Sequence, residues 1–206
     1  MKAKVRVRVQ SRRAHTLPIP QLTTVFLVGF MGAGKTSVGR ALGQRLNWIF
    51  EDLDDRIERR EGRTVAEIFR DSGEQEFRNA EHAALRELLS EMGSSRIIAL
   101  GGGAFVQENN AALLQTSGVP TVFLDANVEE LWQRCSKQAS AAGVQRPLLR
   151  DPEQFRKLYA DRRRSYSKAS LKIHAGNRSV DKIAAEIARK LRLKEIEIRV
   201  EQGEIE

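Results

Sequence analysis

The stretch GFMGAGKT at 29–36 fits G-x-x-x-x-G-K-[ST], the pattern of a loop that wraps phosphate. Gly32 and Gly34 let the backbone curl so that successive N–H groups point inward, and the amphipathic helix that continues from Ser37 to Leu46 adds its positive end. Lys35 is set to reach the β- and γ-phosphates of a nucleoside triphosphate, and the Thr36 hydroxyl to ligate Mg²⁺. The loop defines a triphosphate site and leaves open where the phosphate goes, since motors, switches and small-molecule kinases share it.

Further groups could serve an acceptor. In EDLDD, Asp52 and Asp54 stand two apart, which on an extended chain puts both carboxylates on one side. Asp52 could hold Mg²⁺ through water, while Asp54 could accept hydrogen bonds from an acceptor hydroxyl and take its proton. The competing reading is that both open a helix, where acids favour the positive dipole end. GEQEFRNAEHAALRELL reads as a helix with Arg78 and Glu81 three apart on one face, a spacing that also describes an ordinary surface ion pair. Gly101, Gly102 and Gly103 form a run that admits close backbone approach to a ligand, or a plain flexible turn. RPLL at 146–149 adds a cation, Arg146, that could swing onto the triphosphate.

Elements able to position these groups are legible around them. Short apolar runs at 24–28 (TVFLV), 48–50 (WIF), 96–100 (RIIAL), 121–125 (TVFLD) and 171–175 (LKIHA) alternate with longer helical patterns. Near-continuous apolarity, instead of in-out alternation, is what a parallel sheet covered on both faces requires. Capping boxes at Thr64 with Glu67 and at Asn127 with Glu130 mark helix starts. The expected fold is α/β, five strands sandwiched by helices. The phosphate loop, the aspartate pair and the glycine run each follow a strand, at the edge where open α/β sheets bind ligands. Residues 136–151 (SKQASAAGVQRPLLRD) lack this periodicity and are expected to form a moving lid or a disordered segment.

At 206 residues, with 41% hydrophobic and 30% charged, the chain suits one globular domain over 23–194, and it holds no apolar run near the ~20 residues of a membrane span. Six charges of the net +8 lie in residues 1–22, so the body is nearly balanced and gives little reason to expect nucleic-acid binding. That basic segment lacks the apolar core of a secretory signal and the serine content of a transit peptide, and reads as a cytoplasmic extension. KVRVRV at 4–9 and EIEIRV at 195–200, the latter opening the tail 195–206, alternate apolar with oppositely charged residues; they could pair as an antiparallel ribbon or remain frayed ends. A single cysteine, Cys135, excludes an internal disulfide and fits a reducing compartment.

Taken in order, GxxxxGKT, DxD, GExEFRxxE, GGG after the third strand and RPLL resemble the shikimate kinase family, over roughly residues 23–190. The resemblance implies a nucleoside-monophosphate-kinase-like fold, a three-layer sandwich with a parallel sheet of order 2-3-1-4-5, and transfer of the γ-phosphate of ATP to the 3-hydroxyl of shikimate. It implies that Gly32, Ala33, Gly34, Lys35, Thr36 and Ser37 cradle the phosphates, that Arg146 stabilises charge on the transferring group, and that Arg134 and Arg178 flank adenine. Thr36 and Asp52 would hold Mg²⁺. On the acceptor side, Asp54 would hold hydroxyls and serve as base, with Arg78, Arg162 and the N–H of Gly102 gripping the carboxylate, Gly101 and Gly103 beside it, and Glu81 orienting Arg78.

RRRSY at 162–166 departs from the family's Pro-Leu before the tyrosine, so Arg162 is assigned over Arg163 by spacing alone; the stretch between Arg134 and Arg146 is also longer than is common. The implied partners are ATP and shikimate, with no nucleic acid and no membrane, for a cytoplasmic monomer. Two rival readings are a kinase for another small hydroxy acid such as gluconate and a nucleotide-binding module without turnover. The DxD, EFR and GGG set favours shikimate over the first, and the joint presence of Asp54, Arg78 and Arg146 speaks against the second.

Overall fold

A computed structural model describes residues 23–91, 95–142 and 151–193. The terminal ribbon expected from 4–9 and 195–200 and the RPLL stretch at 146–149 lie outside the described residues. In chain order the elements are β1 (Thr24–Val28), α1 (Lys35–Leu46), β2 (Ile49–Asp52), α2 (Leu53–Glu61), α3 (Val65–Ser90) and β3 (Arg96–Ala99). A 3-10 turn (Ala104–Val106) follows, then α4 (Glu108–Ser117), β4 (Thr121–Asp125), α5 (Val128–Ala142), α6 (Pro152–Tyr166), β5 (Leu171–His174) and α7 (Val180–Lys190).

The five strands form one parallel sheet of order β2-β3-β1-β4-β5, as the family resemblance implied. Every residue of β1 and β4 is buried. Because successive side chains point to opposite faces, burial at every position means that helices cover both faces. On the edge, β2 has one neighbour only, and Ile49 is 57% exposed although it lies in an apolar run.

Strand order and register together build the site. The chain passes from β1 to β2 without pairing them, and β3 then fills the gap. Ala99 of β3 pairs with Leu27 of β1 on one side and with Asp52 of β2 on the other, so the three strands end level. Neighbouring strands lie about 4.8 Å apart. Gly29, Gly101 and Asp54, each two residues beyond that row, therefore emerge at one sheet edge.

The helices depart from expectation in three places. Asp52 and Asp54 do not share an extended strand: Asp52 ends β2 and caps α2, accepting from the N–H of Asp54 at 3.2 Å, and Asp54 sits in the first helical turn. The helix-opening reading thus holds locally, and both carboxylates still face the phosphate loop. The Thr64–Glu67 capping box forms as expected, but Asn127 accepts from the N–H of Glu129 (2.9 Å), and Glu130 turns instead toward Arg134 at 3.7 Å. Finally, α5 runs on to Ala142 through half of the segment read as a lid. Apolar period is lost there, yet alanine, lysine and glutamine sustain a helix by intrinsic preference alone. Inside α3, Gly73 has φ 82° and ψ 176°, backbone that only glycine adopts without strain; it divides the helix so that its second part can carry Arg78 and Glu81 at their own angle.

Candidate active site

The phosphate loop leaves β1 with Gly29, Gly32 and Gly34 all at positive φ, and α1 begins at Lys35. A side chain at Gly32 would meet Cys135 Sγ at 2.8 Å and the Leu131 carbonyl at 3.0 Å, so α5 packs tightly under the loop. Ala33 is buried beneath the curl, and Ser37 is exposed in the first turn of the helix. The Lys35 ammonium donates to the carbonyls of Gly29 (2.9 Å) and Phe30 (3.2 Å), at the mouth of the curl. Burial lowers its pKa, while Asp52 and Asp54 pull the other way. The Thr36 hydroxyl donates to Asp52 Oδ2 at 3.2 Å.

These two hard oxygen donors beside Lys35 fit Mg²⁺, but among the described residues no group of three or more His, Cys, Asp or Glu side chains is placed to hold a metal. An ion with so few protein ligands takes the rest of its coordination from phosphate and water oxygens, which is the usual habit of Mg²⁺.

Across the edge, the glycine run at 101–103 is hemmed in by side chains from three helices, α2, α3 and α6. A Cβ at Gly101 would lie 2.8 Å from Asp54 Oδ1 and 3.4 Å from Glu81 Oε1. At Gly102 it would lie 3.4 Å from Arg162 Nη1 and 4.0 Å from the Gly29 carbonyl, so the turn also touches the phosphate loop. At Gly103 it would lie 2.7 Å from both Arg78 Nη atoms. Close approach, and not mere flexibility, is thus what the glycines allow.

The groups around this turn are unusual in their state. Glu81 is 1% exposed; its Oε2 accepts from Arg78 at 3.0 Å, and its Oε1 is buried without a hydrogen-bond partner. The pair is therefore no ordinary surface contact. Asp54 Oδ1 is likewise buried and without a partner. Burial raises the Asp54 pKa to about 6, Asp52 adding to the rise and Lys35 opposing it. Burial also raises Glu81, against the pull of Arg78. Both carboxyl groups are poised to gain a hydrogen-bond donor, since a buried acceptor left unmade costs about 1–3 kcal/mol.

The adjacent arginines of α6 part ways. Arg162 lies over the Phe30 ring at 5.8 Å and faces Gly102. Arg163 turns to the carboxyl end of β4, where Asp125 accepts from it at 3.1 and 3.3 Å and pairs with Lys172 at 2.7 Å. Burial works against charge on Asp125, but these cations outweigh it and hold its carboxyl below the usual range. Phe30, a variable position of the loop pattern, anchors α6 directly, with Phe155 at 5.0 Å and Tyr159 at 5.5 Å edge-on to its ring. An aromatic within an otherwise small-residue loop was the available signal for that contact. Tyr166, wholly buried, had served only as the spacing mark for Arg162, and Asp125 had no local signal.

Arg134 donates to the carbonyls of Gly32 (3.4 Å) and Ala175 (3.1 Å), strapping the phosphate loop to the turn after β5. Arg178, in that same turn, donates to the His174 carbonyl (2.9 Å) and pairs with Glu186. The two arginines are thus brought to one side of the phosphate loop, whereas Arg146 lies outside the described residues.

Sheet order, phosphate loop and facing acceptor groups define a P-loop kinase of the nucleoside-monophosphate-kinase type. A family model described as shikimate kinase matches residues 31–192. The chain is 42% identical over 167 residues to the shikimate kinase of Cereibacter sphaeroides, covering 80% of each chain, and 39% identical over 167 residues to that of Geobacter sulfurreducens, covering 80% of this chain and 88% of the relative. Among solved structures it is similar to shikimate kinase from Acinetobacter baumannii in complex with shikimate, with a TM-score of 0.73 and 34% identity over 83% of this chain and 93% of that one. The chain belongs to the shikimate kinase family.

Proposed function

We propose that this protein transfers the γ-phosphate of ATP to the 3-hydroxyl of shikimate, giving shikimate 3-phosphate and ADP. The observation that carries the reading is convergence on one glycine turn. Two buried carboxylate oxygens without partners, Asp54 Oδ1 and Glu81 Oε1, and two guanidinium groups, Arg78 and Arg162, face residues 101–103 beside the Lys35 loop. Partnerless acceptors suit an acceptor's hydroxyls, and planar guanidinium forks suit a carboxylate. Shikimate carries both.

Arg78, Arg162 and the Gly102 N–H grip the carboxylate, and Glu81 holds Arg78 in place. The 3-hydroxyl oxygen attacks the γ-phosphorus, the bond from that phosphorus to the bridging oxygen breaks, its electron pair leaves with ADP, and the hydroxyl proton passes to Asp54. Residues 32–37 hold the phosphates through backbone N–H groups, and Lys35 offsets charge as it moves toward the leaving group. Thr36 and Asp52 would hold Mg²⁺, which supplies neutralisation of the phosphate oxygens when bound. Arg134 and Arg178 flank the base, and Arg146, assigned on family resemblance, stabilises the transferring group. Phosphoryl transfer asks for little covalent work by the protein, so positioning and electrostatics carry the acceleration. The reading is completed by a cytoplasmic monomer, a location the single cysteine, Cys135, suits.

A coupled assay of ADP release with shikimate, with gluconate and without acceptor tests the reading. Release that depends on shikimate is expected. Release indifferent to shikimate refutes it, and preference for gluconate transfers the assignment to the rival kinase.

A further inference from the structure

Tyr166 closes α6 four residues after Arg162, so both lie on one helix face. Its ring is wholly buried against Phe123 of β4, with centroids 5.3 Å apart, and its hydroxyl donates to the Gly102 carbonyl oxygen. From the position that a side chain at Gly102 would occupy, Arg162 Nη1 is 3.4 Å away and the Tyr166 oxygen 3.9 Å. Phenol, guanidinium and glycine turn therefore meet at one point.

A hydrogen bond to a carbonyl fixes the plane of its peptide, and in a trans peptide the C=O and N–H point opposite ways. The Gly102 carbonyl shares its peptide with the Gly103 N–H, so Tyr166 sets the direction of that N–H as well. The phenol oxygen keeps lone pairs that can face the Arg162 guanidinium while its proton serves the turn. We propose that Tyr166 is a positioning residue for acceptor recognition: its single oxygen registers the glycine turn at 101–103 against Arg162, so that backbone and guanidinium meet the acceptor's carboxylate at a fixed spacing. The role rests on the shikimate reading given above. Burial pushes the Tyr166 hydroxyl up to about 12, against the pull of Arg162, so it remains a donor across the working pH range. Arg163 does not compete for the turn, because Asp125 holds it at β4.

The experiment is Tyr166→Phe, which keeps the ring and removes the oxygen, followed by initial rates over both substrates. The expected result is a KM for shikimate raised about tenfold, with kcat and the KM for ATP within about threefold of the unaltered protein. An unchanged shikimate KM in a protein that melts normally overturns the role, as does an equal rise in both KM values, which reports general loosening. Arg162→Lys supplies a second reading that leaves the ring in place. An ammonium lacks the rigid planar fork that would hold carboxylate and phenol at a fixed spacing. The Gly102 and Gly103 amide resonances should then shift before shikimate is added, and unmoved amides overturn the coupling. Failure of the activity reading is separable: it shows as ADP release indifferent to shikimate in the unaltered protein.

Discussion

Adding one methyl group at a time to the glycine turn separates catalysis from acceptor binding. Gly101→Ala places a Cβ 2.8 Å from Asp54 Oδ1, where ordinary contact begins near 3.4 Å, so the carboxylate must retreat by about 0.6 Å. A displacement of about 1 Å at a reacting group can cost 10²-fold, so kcat should fall by about tenfold or more. Gly103→Ala instead meets both Arg78 Nη atoms at 2.7 Å and Cζ at 3.0 Å, which expels the whole guanidinium. Losing a charged hydrogen-bonded contact of about 1.5–3 kcal/mol should raise the KM for shikimate by about 10- to 100-fold. At Gly102 the nearest atom is 3.4 Å away, so Gly102→Ala should be the mildest of the three. None of these glycines has positive φ, and at 101 and 103 the atoms to be displaced are side-chain tips, so the fold tolerates the change and Tm should move by only a few degrees. The assay is coupled ADP release over a matrix of ATP and shikimate concentrations, with a thermal melt of each variant. Gly101→Ala with kcat and KM within twofold of the parent would refute the placement of Asp54 against the turn. So would an effect confined to the KM for ATP.

Other expectations follow from the same geometry. Lys35→Ala should lower turnover by at least ~10²-fold, because it removes a group set to stabilise the transferring charge; turnover within a few-fold would remove Lys35 from that role. Arg162→Ala should raise the KM for shikimate and spare Tm, whereas Arg163→Ala should lower Tm by a few degrees and spare that KM, since Arg163 is spent on Asp125. Reversal of that pattern would move the acceptor role to Arg163. For pH, Asp54 must be ionised to take a proton, and its pKa of about 6 lies above the usual carboxylate value. Protonation therefore removes activity as pH falls: kcat/KM should be near its plateau at pH 7 and about a tenth of it at pH 5. An acid limb centred near pH 4 would show that Asp54 is not held in a desolvated site.

The phosphate loop was legible because its function is local. Spacing, glycine placement and the strand-loop-helix setting all lie within a dozen consecutive residues, and backbone sterics alone turn them into an anion nest. Strands β1, β3 and β4 were equally plain, since both faces of a central parallel strand must be apolar. The edge strand β2 was legible as a strand but the exposure of Ile49 on it was not, and α5 was cut short where periodicity faded but helix preference persisted.

What the sequence determined by itself was therefore the kind of fold, the donor loop and the list of acceptor-type side chains. Which of those side chains lie together was decided by tertiary structure. Arg78 with Glu81 looks like a surface pair until Gly103 and Asp54 close over it, and three consecutive arginines are equivalent until Asp125 claims one and the Phe30 ring another. The physical reason is that this sheet leaves a gap beside β1 and fills it later in the chain. Only when β3 enters between β1 and β2 does the glycine turn, dozens of residues further along the chain, come to share one edge with Lys35 and Asp54.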